Sequence, residues 1–308
     1  MPEAMAVYCP NTCDTRLIDG CRTHSRRLRI GHGRPCTTSP ALGEPAAEYA
    51  RRVSGMQISV LGGCGGWPAA GQACSGYLVD EDGFRLLVDP GYAIVPRLLM
   101  QTTAGEIDAV LVSHGHPDHC ADLHPLLRAR AFSDDPAPAL PVYALPDALD
   151  AVLALDGPGS LRDAYQLREF TAGSGFEIGP FRVETWLLPH WVPNAGLRLT
   201  AGGQVLSYTG DTGPSPDLIA LARDADVFLA EATYAEHVPG HAARYLSSAR
   251  QAGEHAARAG AGRLVLTHLW PGTDPELIEQ AARETFSGPL DVARGGLQVE
   301  PAVGKDRS

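Results

Sequence analysis

The stretch Ser113-His114-Gly115-His116-Pro117-Asp118-His119, entered from the apolar run Ala109-Val110-Leu111-Val112, constrains this chain more than any other. A short β-branched apolar run reads as a buried strand, and the polar residues after it read as the loop at that strand's end. Imidazoles and a carboxylate packed this densely would be costly in an ordinary core, because buried polar groups need partners. Alternation along an extended chain puts His114 and His116 on one side, able to hold a single ion. The turn at Pro117 then presents Asp118 and His119 to a neighbouring position. Neutral imidazoles with a carboxylate suit zinc or a similar borderline divalent metal. A two-metal site needs further donors, and the chain offers them in the same setting. His190 ends VETWLLPH, Asp211 follows VLSYTG and His268 follows RLVLT. A strand-end His taken singly is as readily a capping or surface residue; it is the agreement with the upstream run that makes these three candidate ligands.

Residues 1–55 show neither helical nor strand periodicity and are rich in Arg, Pro, Gly, Ser and Thr. Met56 then opens MQISVLGGCGGW, an apolar strand running into a glycine turn. We expect residues 1–55 to be an extension, disordered or non-native, ahead of one domain over 56–308, with Met56 an alternative start. From Met56 the pattern alternates. GYLVDEDGFRLLVDPG reads as a hairpin turning at Asp82-Gly83, where the pair tolerates positive φ. FEIGPFRVETWLLPH and GLRLTAGGQVLSYTGDT read as further hairpins, the latter turning at Gly202-Gly203. PVYAL, DVFLAEATY and RLVLTHL read as strands; ADLHPLLRARAF, residues 146–155, DLIALARDA and SARQAGEHAARAG read as helices. A last helix, DPELIEQAARETF, has Asp274 as its cap and Pro275 at its first position. Two rounds of strands, each followed by helices, predict an α/β fold with two sheets face to face and helices outside, a four-layer αββα sandwich.

Charge narrows the substrate. Residues 1–55 carry eight Arg and five acids, whereas the rest carries 17 basic and 31 acidic residues, a net of −14. Polynucleotide binding relies on Lys and Arg neutralising phosphates, so the acidic body argues for a small-molecule substrate and against a nucleic-acid polymer. The seven Cys do not form the framework of a short secreted chain. Cys9, Cys13, Cys21 and Cys36 lack the CxxC pair of a standard zinc finger, even with His24 and His32 nearby. No apolar run approaches the roughly 20 residues of a membrane helix and no secretory pattern opens the chain, so we expect a cytoplasmic protein.

Taken together, LGGCGGWP, LLVDPG with Asp89, HxHxDH, LPHWVPNAGLRL, YTGDTG, EATY and LTHLWP resemble, in order, the metallo-β-lactamase superfamily, and within it the ribonuclease Z-like branch. They span Met56 to about residue 300. The resemblance implies a metallo-β-lactamase sandwich holding two zinc ions (Zn2+). His114, His116 and His190 would hold one, Asp118, His119 and His268 the other, and Asp211 would bridge them. It implies that Asp89 orients the loop from behind, that Asp118 steers or deprotonates the attacking water, and that Glu231 takes part in catalysis. Relatives in this branch are often dimers, so a homodimer is the implied assembly.

Departures from the branch bear on substrate. Its members carry a His, in an HxT-type element after the EATY strand, that pairs with the Glu to protonate the leaving group; here Tyr245-Leu246-Ser247-Ser248 stands there, with Leu246 in the His position. His237 or His241 would have to substitute, unless both are surface-loop residues. The loop PAAGQA lacks the usual Arg-Asn pair, and no long basic arm is inserted to grip an RNA elbow. The likeness is closer to actinobacterial relatives that resemble cyclic-nucleotide phosphodiesterases. A phosphodiesterase on a small, cyclic-nucleotide-like substrate is the first expectation, a lactone or thioester hydrolase the alternative, and tRNA 3′ processing or a degenerate scaffold lower still. Among weaker signals, Gly62 to Gly66 reads as a tight turn more than a phosphate cradle, and Cys120 is not needed as a nucleophile. Glu254 and His255 read as a solvated helix face. Trp186, Trp191 and Trp270 flank ligand positions, as pocket walls or as packing.

Overall fold

The computed structural model describes residues 55–157 and 159–301. The extension expected over 1–55, with its four Cys, lies outside the described residues but for Gly55. The strands, in chain order, are β1 (Gln57–Gly62), β2 (Gly76–Glu81), β3 (Phe84–Val88), β4 (Ala109–Leu111), β5 (Leu140–Ala144), β6 (Tyr165–Glu169) and β7 (Gly175–Ile178). They continue as β8 (Phe181–Leu188), β9 (Asn194–Ala201), β10 (Gln204–Tyr208), β11 (Val227–Glu231), β12 (Leu264–Thr267), β13 (Leu290–Val292) and β14 (Gln298–Val299). The helices are α1 (Val95–Leu98), α2 (Pro117–Cys120), α3 (Leu123–Ala131), α4 (Asp150–Leu153), α5 (Asp217–Leu221), α6 (Ala249–Ala259) and α7 (Pro275–Arg283).

Two seven-stranded sheets result, ordered β14-β1-β2-β3-β4-β5-β6 and β13-β12-β11-β10-β9-β8-β7. In each, antiparallel hairpins lead into a parallel half: β3-β4-β5-β6 in one and β10-β11-β12-β13 in the other. The three expected hairpins form, and Asp82-Gly83 and Gly202-Gly203 take the positive φ their turns require. Alternate residues of both sheets, among them Val60, Tyr77, Leu86, Phe181, Leu197, Leu206 and Leu229, form the core between them. The opposite face of the first sheet packs Leu87, Val110 and Val142 on α1, α3 and α4, through Leu98, Leu126, Leu127 and Val152. The opposite face of the second packs Phe228, Ala230 and Leu264 on α6 and α7, through Ala252, Ala256, Ile278 and Ala281. This is the four-layer αββα sandwich that the pattern predicts.

Differences from the sequence reading lie at the margins. The helix expected at 146–155 shrinks to one turn, Asp150–Leu153. The strands β6, β13 and β14 carry no sequence signal: β6 (YQLRE) is an edge strand with most of its residues exposed, and β14 has two residues. The cap of α7 is as expected, Asp274 accepting from Glu276 N at 2.9 Å.

Candidate metal centre

Side chains from both sheets converge at one end of the sandwich, where β4 of the first sheet and the mutually parallel β10 and β12 of the second, with β8, have their C-terminal ends. The chain leaves β4 through Val112 and Ser113 to present His114 and His116, and α2 presents Asp118 and His119. From the second sheet, β8 runs out to His190, β10 to Asp211 and β12 directly to His268. Two strand ends here are strained: Asp89, just past β3, and His268, just past β12, both take positive φ (49° and 59°). Non-glycine residues in that region persist only where the surroundings hold them there.

The seven side chains fall into two groups that share Asp211: His114, His116, His190 and Asp211 in one, Asp118, His119, Asp211 and His268 in the other. In the first, His116 Nδ1 lies 3.2 Å from His114 Nε2 and 3.0 Å from His190 Nε2. Asp211 Oδ2 lies 3.7 and 3.8 Å from those Nε2 atoms. In the second, His268 Nε2 is 3.2 Å from Asp118 Oδ2 and 3.0 Å from Asp211 Oδ2. His119 Nε2 is 3.6 Å from Asp118 Oδ2 and 3.1 Å from Asp211 Oδ1. A tetrahedral ion with bonds of about 2.0–2.1 Å holds its donors roughly 3.3 Å apart, so both groups have the spacing of a coordination shell. The pairing His114/His116 against Asp118/His119 is the one that alternation predicts.

Four of the five rings are held from behind. Ser113 Oγ donates to Asp89 Oδ2 at 2.6 Å, so towards His114 Nδ1, 3.1 Å away, it acts as acceptor. His119 Nδ1–H donates to Asp89 Oδ2 at 2.8 Å, and Tyr208 OH donates to the same oxygen at 2.8 Å. His190 Nδ1–H donates to the Tyr245 carbonyl at 3.0 Å. Thr233 Oγ1 donates to Glu231 Oε1 at 2.6 Å and therefore accepts from His268 Nδ1, 2.8 Å away. With Nδ1 protonated on all four rings, each aims an Nε2 lone pair at the shared centre, the arrangement that fixes a metal-binding tautomer. Glu231 itself is buried behind His268, its oxygens engaged by Thr233, by Ser247 N and by Thr212 N. Burial, and then repulsion from Asp211, pushes its carboxyl up to about 8.

The donor set fits a divalent cation. His119 Nε2 and Asp211 Oδ1 are both buried without a hydrogen-bond partner, although they face each other. Burial lowers His119 and His268, but Asp211 and Asp118 outweigh it, lifting His119 well above its ordinary value and His268 to about 10. Burial leads the lowering of His114, His116 and His190. Two buried carboxylates thus recruit protons onto two imidazoles where a cation would replace them. The set is all nitrogen and oxygen, which suits zinc, manganese, iron or cobalt over metals that need thiolate.

The glycine turn is what brings the second group together. A Cβ on Gly65 would fall 2.6 Å from the His268 ring, and Gly66, at φ +75°, donates its N–H to Asp118 Oδ2 at 2.7 Å. Sequence reasoning took this loop as a turn and did not reach that role. It also missed Thr233, although Thr233 lies in the EATY run, and the Tyr245 carbonyl, since a backbone acceptor carries no residue identity. Leu246 is buried, and His237 and His241 are exposed. Cys120 is buried and its thiol is pushed up to about 12 by burial, which makes it inert. Trp186 packs on Leu188, Leu218 and Leu221. Trp191 lies beside His190 and against Tyr245, ring centroids 5.1 Å apart in each case. Trp270 sits 5.1 Å from Trp67 and 6.4 Å from His268. Glu254 is exposed as expected, while His255 is half-buried.

Comparison with known proteins agrees with this geometry. Residues 84–269 match the family model described as β-lactamase superfamily domain. The chain belongs to the metallo-β-lactamase superfamily. It is 32% identical over 249 residues to the probable metallo-hydrolase YhfI of Bacillus subtilis, covering 80% of this chain and 100% of that protein. The crystal structure of YhfI superposes with a TM-score of 0.73 at 31% identity, over 80% of this chain and 99% of that one. Ribonuclease Z of Methanopyrus kandleri is 31% identical over 283 residues, covering 79% of this chain and 97% of the relative. Unliganded yeast PDE1 shares the fold, with a TM-score of 0.63 at 12% identity over 80% of this chain and 99% of that one. This superfamily member is a metal-dependent hydrolase.

Proposed function

We propose that this hydrolase is a binuclear zinc phosphodiesterase acting on a small, cyclic-nucleotide-like phosphodiester. The observation that carries the reading is the pair of four-donor groups sharing Asp211. His114, His116 and His190 would hold one ion, Asp118, His119 and His268 the other, and Asp211 both. When bound, such a pair of ions neutralises charge on the phosphoryl oxygens and lowers the pKa of water to near neutrality. The chain's own residues do the rest. Asp118, with Oδ2 held by Gly66 N, accepts a proton from the attacking water. Glu231 acts through Thr233 on His268, holding that ring's tautomer. Trp191, half exposed on Tyr245 beside His190, offers a flat wall on which a planar base can stack. The acidic body supports a small substrate over an RNA chain. We place the domain at 56–308, acting in the cytoplasm as a homodimer. Among the described residues no helix is long and apolar enough to cross a membrane.

Leu246 favours a second reading. An aliphatic side chain there cannot protonate a leaving alkoxide, and esters with good leaving groups, lactones and thioesters, need no such acid. The zinc-loaded protein should be assayed on bis(p-nitrophenyl) phosphate, 3′,5′- and 2′,3′-cyclic nucleotides, a lactone panel and thioesters. Turnover of cyclic nucleotides supports the first reading; lactone or thioester hydrolysis without any phosphodiester turnover overturns it.

A further inference from the structure

A separate cavity of about 290 Å³ lies against the glycine loop. Its walls are the loop itself (Gly62–Cys64 and Gly71–Ala73), the segment after His268 with Trp270 and Thr273, and the turn Val292–Gly295. Two arginines, Arg97 and Arg294, line it, and none of the seven candidate ligands does. No Asp or Glu lines it either, in a body where 31 acidic residues outnumber 17 basic ones. Among the described residues no carboxylate is paired with Arg97 or Arg294 by a salt bridge, whereas Arg85, Arg128, Arg250 and Arg263 each have one.

Arg97 is held in place. Its Nη2 donates to the Gly71 carbonyl, and its Nη1 lies so close to Gly295 that any side chain at 295 would collide with it. Arg97 is half-buried and has no carboxylate partner among the described residues, so an anion entering the cavity would meet a positive charge that no acidic side chain offsets. The fork geometry of two arginines matches the oxygens of a phosphate. Trp270 adds an indole surface to the same cavity, and the volume is at the lower end of small-ligand sites, roughly 300 Å³ and upward.

We propose that this cavity is a second ligand site, distinct from the metal centre, that binds a small phosphorylated molecule through Arg97 and Arg294 with its organic part against Trp270. The glycine loop is the common wall: one side lines the cavity, while Gly65 packs on His268 and Gly66 holds Asp118.

The test is calorimetric titration of the full chain with inorganic phosphate and with 5′-AMP, in excess chelator so that no metal contributes. One saturable site per chain is expected, at least tenfold weaker in Arg294→Gln and lost in the Arg97→Gln/Arg294→Gln pair, with both variants showing wild-type circular dichroism. Because Arg97 also braces Gly71, the exposed Arg294 single variant is the deciding one. Asp211→Asn should bind both probes as the wild type does. Absence of saturable binding by either probe at millimolar concentration overturns the proposal. So does binding that Arg294→Gln leaves unchanged or that Asp211→Asn abolishes. Tighter binding of AMP than of phosphate assigns a share of recognition to Trp270, which Trp270→Leu should then remove.

Discussion

Asp89 Oδ2 accepts the Nδ1–H of His119 at 2.8 Å, and Asp89 holds that ring while its own backbone sits at positive φ. The same carboxylate accepts from Ser113 N at 2.7 Å, from Ser113 Oγ and from Tyr208 OH, so four donors from three parts of the chain meet on one fully buried side chain. Asp89→Asn replaces one accepting oxygen with an N–H2 that faces donors. Each buried donor left unsatisfied costs about 1–3 kcal/mol. Metal affinity should fall about 10–100-fold, since support behind a ligating His typically carries that much. Chelator-competition titration measures the second effect, and thermal unfolding in chelator the first.

Gly65→Ala isolates the second group of ligands. The backbone at Gly65 does not need positive φ, but an added Cβ would meet the His268 ring at 2.6 Å. His268 must shift, while His114, His116 and His190 keep their surroundings. On the proposed binuclear reading, elemental analysis after desalting should show occupancy falling from two ions per chain towards one. Equal loss of both ions would mean the two groups do not fill independently.

Metal binding should release protons, with a sign set by the environment of two rings. His268 is lifted to about 10, and His119 well above its ordinary value, because Asp211 and Asp118 outweigh burial. At pH 7 the metal-free site therefore holds protons that a cation must displace, and apparent affinity should rise with pH from 6 towards 10. The metal-free fold behaves oppositely: groups with raised folded pKa values contribute stability that is complete below about pH 6.5 and is lost as pH climbs towards 10. Calorimetry in buffers of different ionisation heats reports the proton release. A binding heat independent of buffer would contradict the assignment of these rings.

Arg130 tests packing far from the chemistry. Its buried guanidinium donates to the carbonyls of Ala104, Gly105, Ile107 and Pro138, tying the turn before β4 to the chain leading into β5. Arg130→Ala strands those acceptors and should cost about 3 kcal/mol or more in urea unfolding, leaving activity per folded molecule unchanged.

The sandwich and the candidate ligands that converge were legible for the same reason: His114, His190, Asp211 and His268 each follow closely on an apolar run, where a change from strand to polar loop shows in the sequence. Asp82-Gly83 and Gly202-Gly203 marked their hairpins because few dipeptides accept that backbone. What escaped was carried by atoms with no side-chain signature. The Tyr245 carbonyl that holds His190 is available on any residue, and the bond spans positions 55 apart. Gly66 contributes an N–H to Asp118, and Gly65 only the absence of a Cβ. The edge strand β6 escaped because its exposed residues need not be apolar.

Leu246 decides between the two catalytic readings. It is buried directly after Tyr245, whose carbonyl holds His190, and directly before Ser247, whose N–H donates to Glu231. The backbone is thus braced on both sides of this position, by His190 on one and by Glu231 on the other. Leu246→His should cost about 1–3 kcal/mol of stability through lost apolar burial. As a phosphodiesterase, the variant should gain roughly 10–100-fold in kcat on substrates with alkoxide leaving groups, the scale on which a positioned general acid acts. Substrates that leave as p-nitrophenolate, which needs no proton, should change little. The ratio of kcat for a cyclic nucleotide to kcat for bis(p-nitrophenyl) phosphate is therefore the quantity to measure, because it cancels any loss of folded enzyme. A ratio unmoved by the substitution would sink the leaving-group argument and, with it, the reason for keeping lactones and thioesters as the alternative.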